Sequence, residues 1–237
     1  MPFMKPNLLP SPQNFWLKHL LPAVIFAVLM MFVYTQTSWD VDLSNLFYNA
    51  QTHTFPLRRN AFLSQFMHTG LKWLVVGIAL TSLALWGMSY RFSKLQPVRK
   101  PLLWTFIAMV ASTSIVAAIK HKSMHGCPWD LLAYGGELPL FGLFETPPIG
   151  AEAGGCFPAG HPSAGYALMA FYFAYRGIKP RFAATMLWSG IIMGLIMGWA
   201  QVMRGAHFLS HILWSGWVVW LVLLMLYWAW PPYKTNT

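Results

Sequence analysis

Six long apolar stretches constrain this chain more than any other feature of its sequence. A helix needs roughly 20 apolar residues to cross the hydrocarbon core of a bilayer. The stretches that meet or approach this length are 20–37, 71–90, 102–119, 162–175, 182–203 and 207–230. Only 9% of the residues are charged, whereas a soluble domain carries about 25%. The sequence therefore predicts an all-α, polytopic membrane protein, a six-transmembrane-helix bundle, and excludes soluble nucleotide-binding enzymes and secreted disulfide scaffolds.

The basic residues predict how the bundle is oriented. All six acidic residues lie in the loops on one side of the predicted spans, and most basic residues lie on the other side. Cytoplasmic loops carry the excess of Lys and Arg, so both termini are predicted to be cytoplasmic. The basic residues on that side are Lys5, Lys18, Arg91, Lys94, Arg99, Lys100, Arg176, Lys179, Arg181 and Lys234. The net charge of +10 is thereby explained by basic residues that set the orientation of the chain in the membrane. No nucleic-acid partner is expected.

Two cysteines, Cys127 and Cys156, both lie in the predicted outward loop 120–161. An oxidising exterior favours a disulfide between them. Such a bridge would close a loop of about 30 residues and stabilise the chain by about 3 to 4 kcal/mol. Two buried free thiols are the alternative.

Charged and imidazole side chains gather at the predicted outer ends of the spans. Such side chains are costly near lipid, so their positions indicate function. His207 and His211 are four residues apart and share one face of a helix. Lys120 ends the third span, His161 opens the fourth, and Arg204 closes the fifth. These residues predict a single polar cup just below the outer surface.

The composition of this cup indicates phosphoryl transfer. Residues 158–162 form a turn that leads into a helix, where free backbone N–H groups such as that of Gly160 favour an anion. Lys120 and Arg204 supply fixed positive charge. One imidazole can attack phosphorus while the other protonates the leaving oxygen. The sequence thus predicts covalent catalysis on a phosphate group.

Three segments together resemble the type 2 phosphatidic acid phosphatases. That family has a three-part signature: Lys, six residues, Arg-Pro; then Pro-Ser-Gly-His; then Ser-Arg, five residues, His, three residues, Asp. In this chain Lys120 stands eight residues before Pro128, the second part is 158–161, and the third centres on His207. The resemblance covers about 70–230, as the phosphatase-like core of a single membrane domain, 1–237.

The resemblance implies a role for each matching residue. It implies that His207 is the nucleophile that becomes phosphorylated and that His161 protonates the leaving group. Residue 211 would orient the nucleophile, while Lys120, the Arg side chains and the Gly-His turn hold the phosphate. No metal and no cofactor is implied.

The chain departs from the family signature at three positions. Cys127 stands where the first part has Arg, which removes one phosphate clamp. Gln201 stands where the third part has Arg, but Arg204 lies three residues on and can aim at the same space, so both are candidate phosphate-binding residues. His211 replaces Asp and cannot stabilise an imidazolium as a carboxylate would. One of two acidic loop residues, Glu152 or Asp130, is the alternative source of a carboxylate that stabilises the imidazolium.

The histidines and glycines also permit simpler interpretations. A zinc site is conceivable, but the histidine pair at 207 and 211 lacks an internal Glu and a clear third ligand, so no metal is predicted. Glycines at 190, 194 and 198 repeat every four residues and predict close helix packing.

These features together predict a membrane lipid phosphatase. It would hydrolyse a phosphomonoester or diphosphate of a lipid at the periplasmic face of a bacterial inner membrane, with the lipid substrate and membrane lipids as partners. A lipid phosphotransferase that uses the same histidine chemistry is one alternative. A non-catalytic transporter or scaffold that retains the fold is another. The oligomeric state stays open.

Overall fold

The computed structural model describes residues 12–233, and the regular secondary structure of these residues is helical. The helices are α1 (Pro12–Phe32), α2 (Trp39–Asn45), α3 (Leu71–Met88), α4 (Arg99–His121), α5 (Gly160–Ala167), α6 (Ala170–Tyr175), α7 (Pro180–Met203) and α8 (Leu209–Ala229). A π-helical segment, Phe62–Gly70, runs directly into α3. Within the described range there are isolated β-bridges but no β-strand, so the all-α prediction is confirmed. Lys5 and Lys234, which contribute to the predicted orientation of the termini, lie outside the described residues.

Among the described residues, five helical segments are long and apolar enough to cross a membrane, which supports a polytopic helical protein of membrane type. They are Asn14–Gln36, Phe62–Met88, Ser93–His121, Pro180–Met203 and Leu209–Ala229. The predicted count of six is not confirmed. The expected fourth span, 162–175, consists instead of the short helices α5 and α6, which are separated by a turn at Leu168 and Met169.

The interruption of this segment follows from its position at the centre of the bundle. The pair α5–α6 packs against α4, α7 and α8, and the side chains of Ala167, Ala170 and Phe173 are fully buried. Backbone irregularity at membrane depth is tolerated where neighbouring protein, rather than lipid, surrounds it. The central segment therefore does not need the length or uniform apolarity of a helix that faces lipid.

Large apolar side chains on the outer helices face away from this centre. They include Leu21, Val24, Ile25 and Val28 of α1, Trp73 and Leu80 of α3, Trp188, Ile192 and Ile196 of α7, and Met225 and Trp228 of α8, all exposed. An apolar surface of this extent on a monomer in water would promote aggregation, whereas acyl chains would solvate it. The bundle thus has the surface of a protein that lies in lipid.

The glycines of α7 set how closely that helix approaches the centre. Gly194 faces α5, and a Cβ placed on it would lie 2.4 Å from Cδ1 of Tyr166. A Cβ on Gly198 would lie 2.4 Å from Cγ2 of Ile212 in α8. Neither position can hold a larger residue unless the helices separate, which is the close packing that the four-residue repeat predicts.

Substitution of Gly194 by alanine is expected to destabilise the bundle. The new methyl group must displace Tyr166, and overpacking of this kind costs about 1 to 3 kcal/mol. For a chain of this length we expect the melting temperature to fall by roughly 5 °C. Gly77→Ala in α3 is the control, because a Cβ there meets nothing within 4 Å. A fall of equal size in both variants would contradict the packing argument.

Candidate active site

The ends of three helices and one turn bring most of the predicted site residues into one cavity of about 750 Å³. The last turn of α4 carries Lys120, and α5 begins at the predicted phosphate-binding turn. Helix α7 ends just after Gln201, and the turn to α8 carries the nucleophile candidate. The predicted residues that line this cavity are Lys120, Gly160, His161, Gln201, Arg204 and His207. We call it the active-site cavity.

His207 lies in the turn between α7 and α8, outside both spans, and is only 5% exposed. Its Nδ1 lies 3.2 Å from Sγ of Cys156. That sulfur is bonded to Cys127, so it carries no proton and can only accept. The contact therefore places the imidazole proton on Nδ1 and leaves the lone pair on Nε2, the nitrogen that a nucleophilic imidazole uses here.

The charge state of His207 also suits a nucleophilic imidazole. Burial lowers the pKa of His207 well below its ordinary value, and the nearby His211, Lys120 and His161 lower it further. A lowered pKa keeps the imidazole neutral at neutral pH, because the charged form is disfavoured in a buried, cationic environment. A neutral ring retains the lone pair that attack on phosphorus requires.

His161, the predicted acid, is held from outside its own helix. Its Nε2 donates to the backbone carbonyl of Met67 at 3.1 Å. Met67 belongs to the π-helical segment Phe62–Gly70, and such segments often occur at functional sites. Because a carbonyl can only accept, this bond fixes a proton on Nε2 and holds the ring at the cavity wall.

Gln201 and Arg204 form one unit on the cavity wall. Nη1 of Arg204 donates to Oε1 of Gln201 at 3.1 Å, and Gln201 is 2% exposed. This bond leaves the amide nitrogen of Gln201 buried with no hydrogen-bond partner among the described residues. A buried donor without an acceptor is costly. An oxygen atom of a bound phosphate would satisfy it.

Lys120 completes the cationic lining of the active-site cavity. Its side chain lies against the phosphate-binding turn, so that a Cβ on Gly160 would lie 3.4 Å from its Cδ. Among the described residues that line the cavity, none is acidic. The lining therefore favours an anion over a cation.

His211 lies outside the active-site cavity. Its ring centroid is 5.8 Å from that of His207, but its side chain lines a separate cavity of about 540 Å³ together with Asp40 and His125. In the described part of the chain, Nδ1 of His211 has no hydrogen-bond partner. Cys156 contacts the imidazole of His207 through its sulfur and its backbone, and an orienting role for His211 stays a prediction.

The structure brings neither expected loop acid to His207. Oδ2 of Asp130 accepts from Nε1 of Trp129 at 2.8 Å, and Glu152 is exposed. The acid near this turn is instead Asp40, whose Oδ1 accepts from the backbone N–H of Ser210 at 2.8 Å. Asp40 thereby caps the first turn of α8. Burial raises the pKa of its carboxyl, and its hydrogen bonds oppose that shift.

Two side chains in contact at the edge of the active-site cavity, Arg58 and Trp129, are missing from the sequence-based set. The guanidinium carbon of Arg58 lies 4.4 Å from the ring centroid of Trp129, and Nε of Arg204 donates to the carbonyl of Arg58 at 3.1 Å. The position of Trp129, directly after Pro128, is a signal that could have indicated it. Arg58 lies far from every motif, and nothing in the sequence places it here.

The two cysteines are bonded in the structure, with 2.10 Å between their sulfurs. Ligand atoms of Cys127, Cys156 and His207 all lie within 4.8 Å of one another, as a metal centre would require. A disulfide lacks the thiolate that binds metal ions. In the bonded form these residues therefore contact one another and do not form a metal centre.

Comparison with known proteins identifies one family match. A family model described as the PAP2 superfamily matches residues 101–235. No curated protein and no solved structure matches the chain. The matched range includes Lys120, His161, Gln201, Arg204 and His207, so the active-site cavity is lined in large part by residues of the family match.

Proposed function

Because the chain belongs to the PAP2 superfamily, whose members are generally phosphatases, we propose that it is a membrane lipid phosphatase. The proposed reaction is hydrolysis of a phosphomonoester or diphosphate of a lipid through a phosphohistidine at residue 207. The reaction needs an anion site, a neutral imidazole and a second imidazole within one cavity. Lys120, Arg204, His207 and His161 all line the active-site cavity, and this combination supports the proposal.

The observation that carries this proposal is that the polar cup continues into an apolar groove. The same cavity is lined by His207 and Lys120 at one end and by apolar side chains of α3 and α4 at the other. These apolar residues are Val75, Val76, Ala79, Leu80, Phe106, Met109 and Val110. Along α4 the lining extends from Phe106 to Lys120, about 21 Å of helix. A phosphate attached to a long apolar chain fits a cavity of this kind.

The proposed chemistry proceeds in two steps. Nε2 of His207 attacks phosphorus, the bond from phosphorus to the leaving oxygen breaks, and protonated His161 donates a proton to that oxygen. Water then attacks the phosphohistidine, His161 takes a proton from the water, and the bond between phosphorus and Nε2 breaks to release phosphate. Lys120, Arg204 and the amide nitrogen of Gln201 are placed to stabilise the charge on the phosphate oxygens in both steps.

The location of the site rests on the charge pattern of the chain. The cavity lies at the end of the bundle where the acidic loops gather, opposite the basic loops at 91–100 and 176–181. Basic loops face the cytoplasm. We therefore propose that the site faces the periplasm of a bacterial inner membrane.

A trapping experiment tests the covalent mechanism. The purified chain, incubated briefly with phosphatidic acid that carries labelled phosphate, should release inorganic phosphate. It should also retain label that survives base and is lost in acid, as expected for a phosphohistidine, within a peptide that contains residue 207. Transfer of the label to a second lipid would show that the chain is a phosphotransferase and not a hydrolase. If neither phosphatidic acid nor an isoprenyl diphosphate is turned over, the proposal is wrong.

A further inference from the structure

The cavity of about 540 Å³ that His211 lines is enclosed by the C-terminal end of α1, the first turns of α8 and the loop 139–145. We call it the His211 cavity. It lies at the same end of the bundle as the active-site cavity, but no described residue lines both. A ligand in the His211 cavity would therefore be distinct from the phosphate of the proposed function.

The two cavities carry opposite charge. The charged side chains that line the His211 cavity are those of Asp40 and Glu145, and its described lining has no Lys or Arg. The active-site cavity has basic side chains such as Lys120 and Arg204, and its described lining has no acid. By Coulomb attraction the active-site cavity favours an anion, whereas the His211 cavity favours a cation.

Aromatic rings form much of the wall of the His211 cavity. They belong to Tyr34, Phe141, Phe144, Phe208 and Trp214. The faces of aromatic rings attract ammonium groups. Among the described residues, no three of the acidic and imidazole side chains of this wall lie close enough together to hold a metal ion. The combination of acids and rings therefore indicates an organic cation.

Two buried polar atoms of the same wall lack a partner. Nδ1 of His211 and Nε1 of Trp214 have no hydrogen-bond partner in the described part of the chain, and these side chains are only 3% and 6% exposed. The two residues are three positions apart and share one face of α8. An indole N–H can only donate, whereas an imidazole nitrogen can donate or accept. A ligand that presents an oxygen beside an N–H donor would satisfy both atoms.

The surroundings of the His211 cavity indicate that this ligand is part of a lipid. The apolar side chains of Met31, Leu140 and Phe144 and the polar side chains of Thr35 and Gln36 all line the cavity and are all exposed. Exposed apolar and polar side chains meet in this way, together with aromatic rings, where acyl chains give way to headgroups. A headgroup can therefore occupy the cavity while its acyl chains stay beside α1.

We propose that the His211 cavity binds the headgroup of a lipid that carries a primary ammonium group next to an oxygen atom. The lipid belongs to the leaflet around this end of the bundle. Its ammonium group lies among the rings and donates to Nδ1 of His211, and its oxygen accepts from Nε1 of Trp214. Burial raises the pKa of the Asp40 carboxyl, and a bound cation would favour the carboxylate form. No bond is made or broken in this cavity, so the lipid is a ligand there and not a substrate.

The indole N–H resonance of Trp214 provides a direct test. The full chain, with isotope-labelled tryptophan, is placed in phosphatidylcholine nanodiscs that contain increasing fractions of phosphatidylethanolamine. The Trp214 signal, identified by its loss in Trp214→Phe, should shift and saturate, because phosphatidylethanolamine has the primary ammonium group that phosphatidylcholine lacks. Glu145→Gln should raise the fraction needed for half of the shift at least about 5-fold, since bonds to charged groups are the strong ones. Glu152→Gln is the control, because Glu152 is exposed and does not line the cavity, and it should leave the titration unchanged.

Soluble probes distinguish the source of the ammonium group and the need for its charge. A shift of the Trp214 signal with free ethanolamine but none with phosphatidylethanolamine would overturn the lipid headgroup in favour of a free amine. An equal shift with ethylene glycol, which has oxygen but no charge, would overturn the cation site. A signal that responds to no probe, or a titration that Glu145→Gln leaves unchanged, would show that the cavity does not bind an ammonium group.

Discussion

Replacement of His207 by alanine is expected to lower lipid phosphate hydrolysis by at least about 10³-fold, because removal of a nucleophile eliminates the covalent route. The labelled protein intermediate should disappear at the same time. Phosphate release from a labelled lipid, measured at saturating substrate, gives the rate. The melting temperature of the variant shows whether the fold survives, since His207 is buried.

Matched histidine variants separate loss of the reactive imidazole from a general effect of removing a histidine. His121, exposed at the end of α4, can be replaced by alanine with little expected change in rate. His211→Asn should lower the rate much less than His207→Ala, by about 10-fold, because Cys156 and not His211 contacts Nδ1 of His207. If His207→Ala keeps a rate within about 10-fold of wild type, His207 is not the nucleophile.

Loss of the disulfide is expected to impair both stability and activity. The bridge between Cys127 and Cys156 spans a separation of 29 residues and should stabilise the chain by about 3 to 4 kcal/mol. This corresponds to a fall of roughly 10 °C in melting temperature for the variant that carries Cys127→Ser and Cys156→Ser. The rate of lipid phosphate hydrolysis should fall by about 10²-fold, because a misplaced nucleophile is costly.

Reductant provides an independent version of this experiment. Reductant should lower the rate of lipid phosphate hydrolysis by the wild type, with intact mass used to show that both cysteines are reduced. The double serine variant has no disulfide, so reductant should leave its rate unchanged. A fully reduced wild type that keeps its rate would show that the bridge does not position His207. The pairing itself would be wrong if intact mass without reductant shows two free thiols.

The membrane character of the chain could be predicted from the sequence because it depends on local composition. Each outer helix faces lipid along much of its length, so its residues are apolar almost throughout and the spans are evident. The central segment α5–α6 faces neighbouring helices instead. The length of this segment depends on those helices, and the prediction of a continuous span at 162–175 is therefore not confirmed.

The site could be predicted only in part, because its motifs are local in the sequence whereas their neighbours in space are not. His161 and His207 occur in short motifs whose spacing follows from the chemistry, and the structure places both in the active-site cavity. The neighbours of these residues come from distant segments. Nothing local relates Met67, Cys156 or Arg58 to the histidines, because those contacts exist only once the loops are packed.

The sequence alone determined an apolar helical bundle, the side on which its charges lie, and the residue types needed for phosphoryl transfer. These properties follow from residue type and from spacing along single helices. The tertiary structure decided that a disulfide sulfur contacts His207, that His211 lines another cavity, and that Arg58 reaches the ring of Trp129. Such contacts depend on how loops far apart in the chain pack together, and that packing is a property of the whole fold.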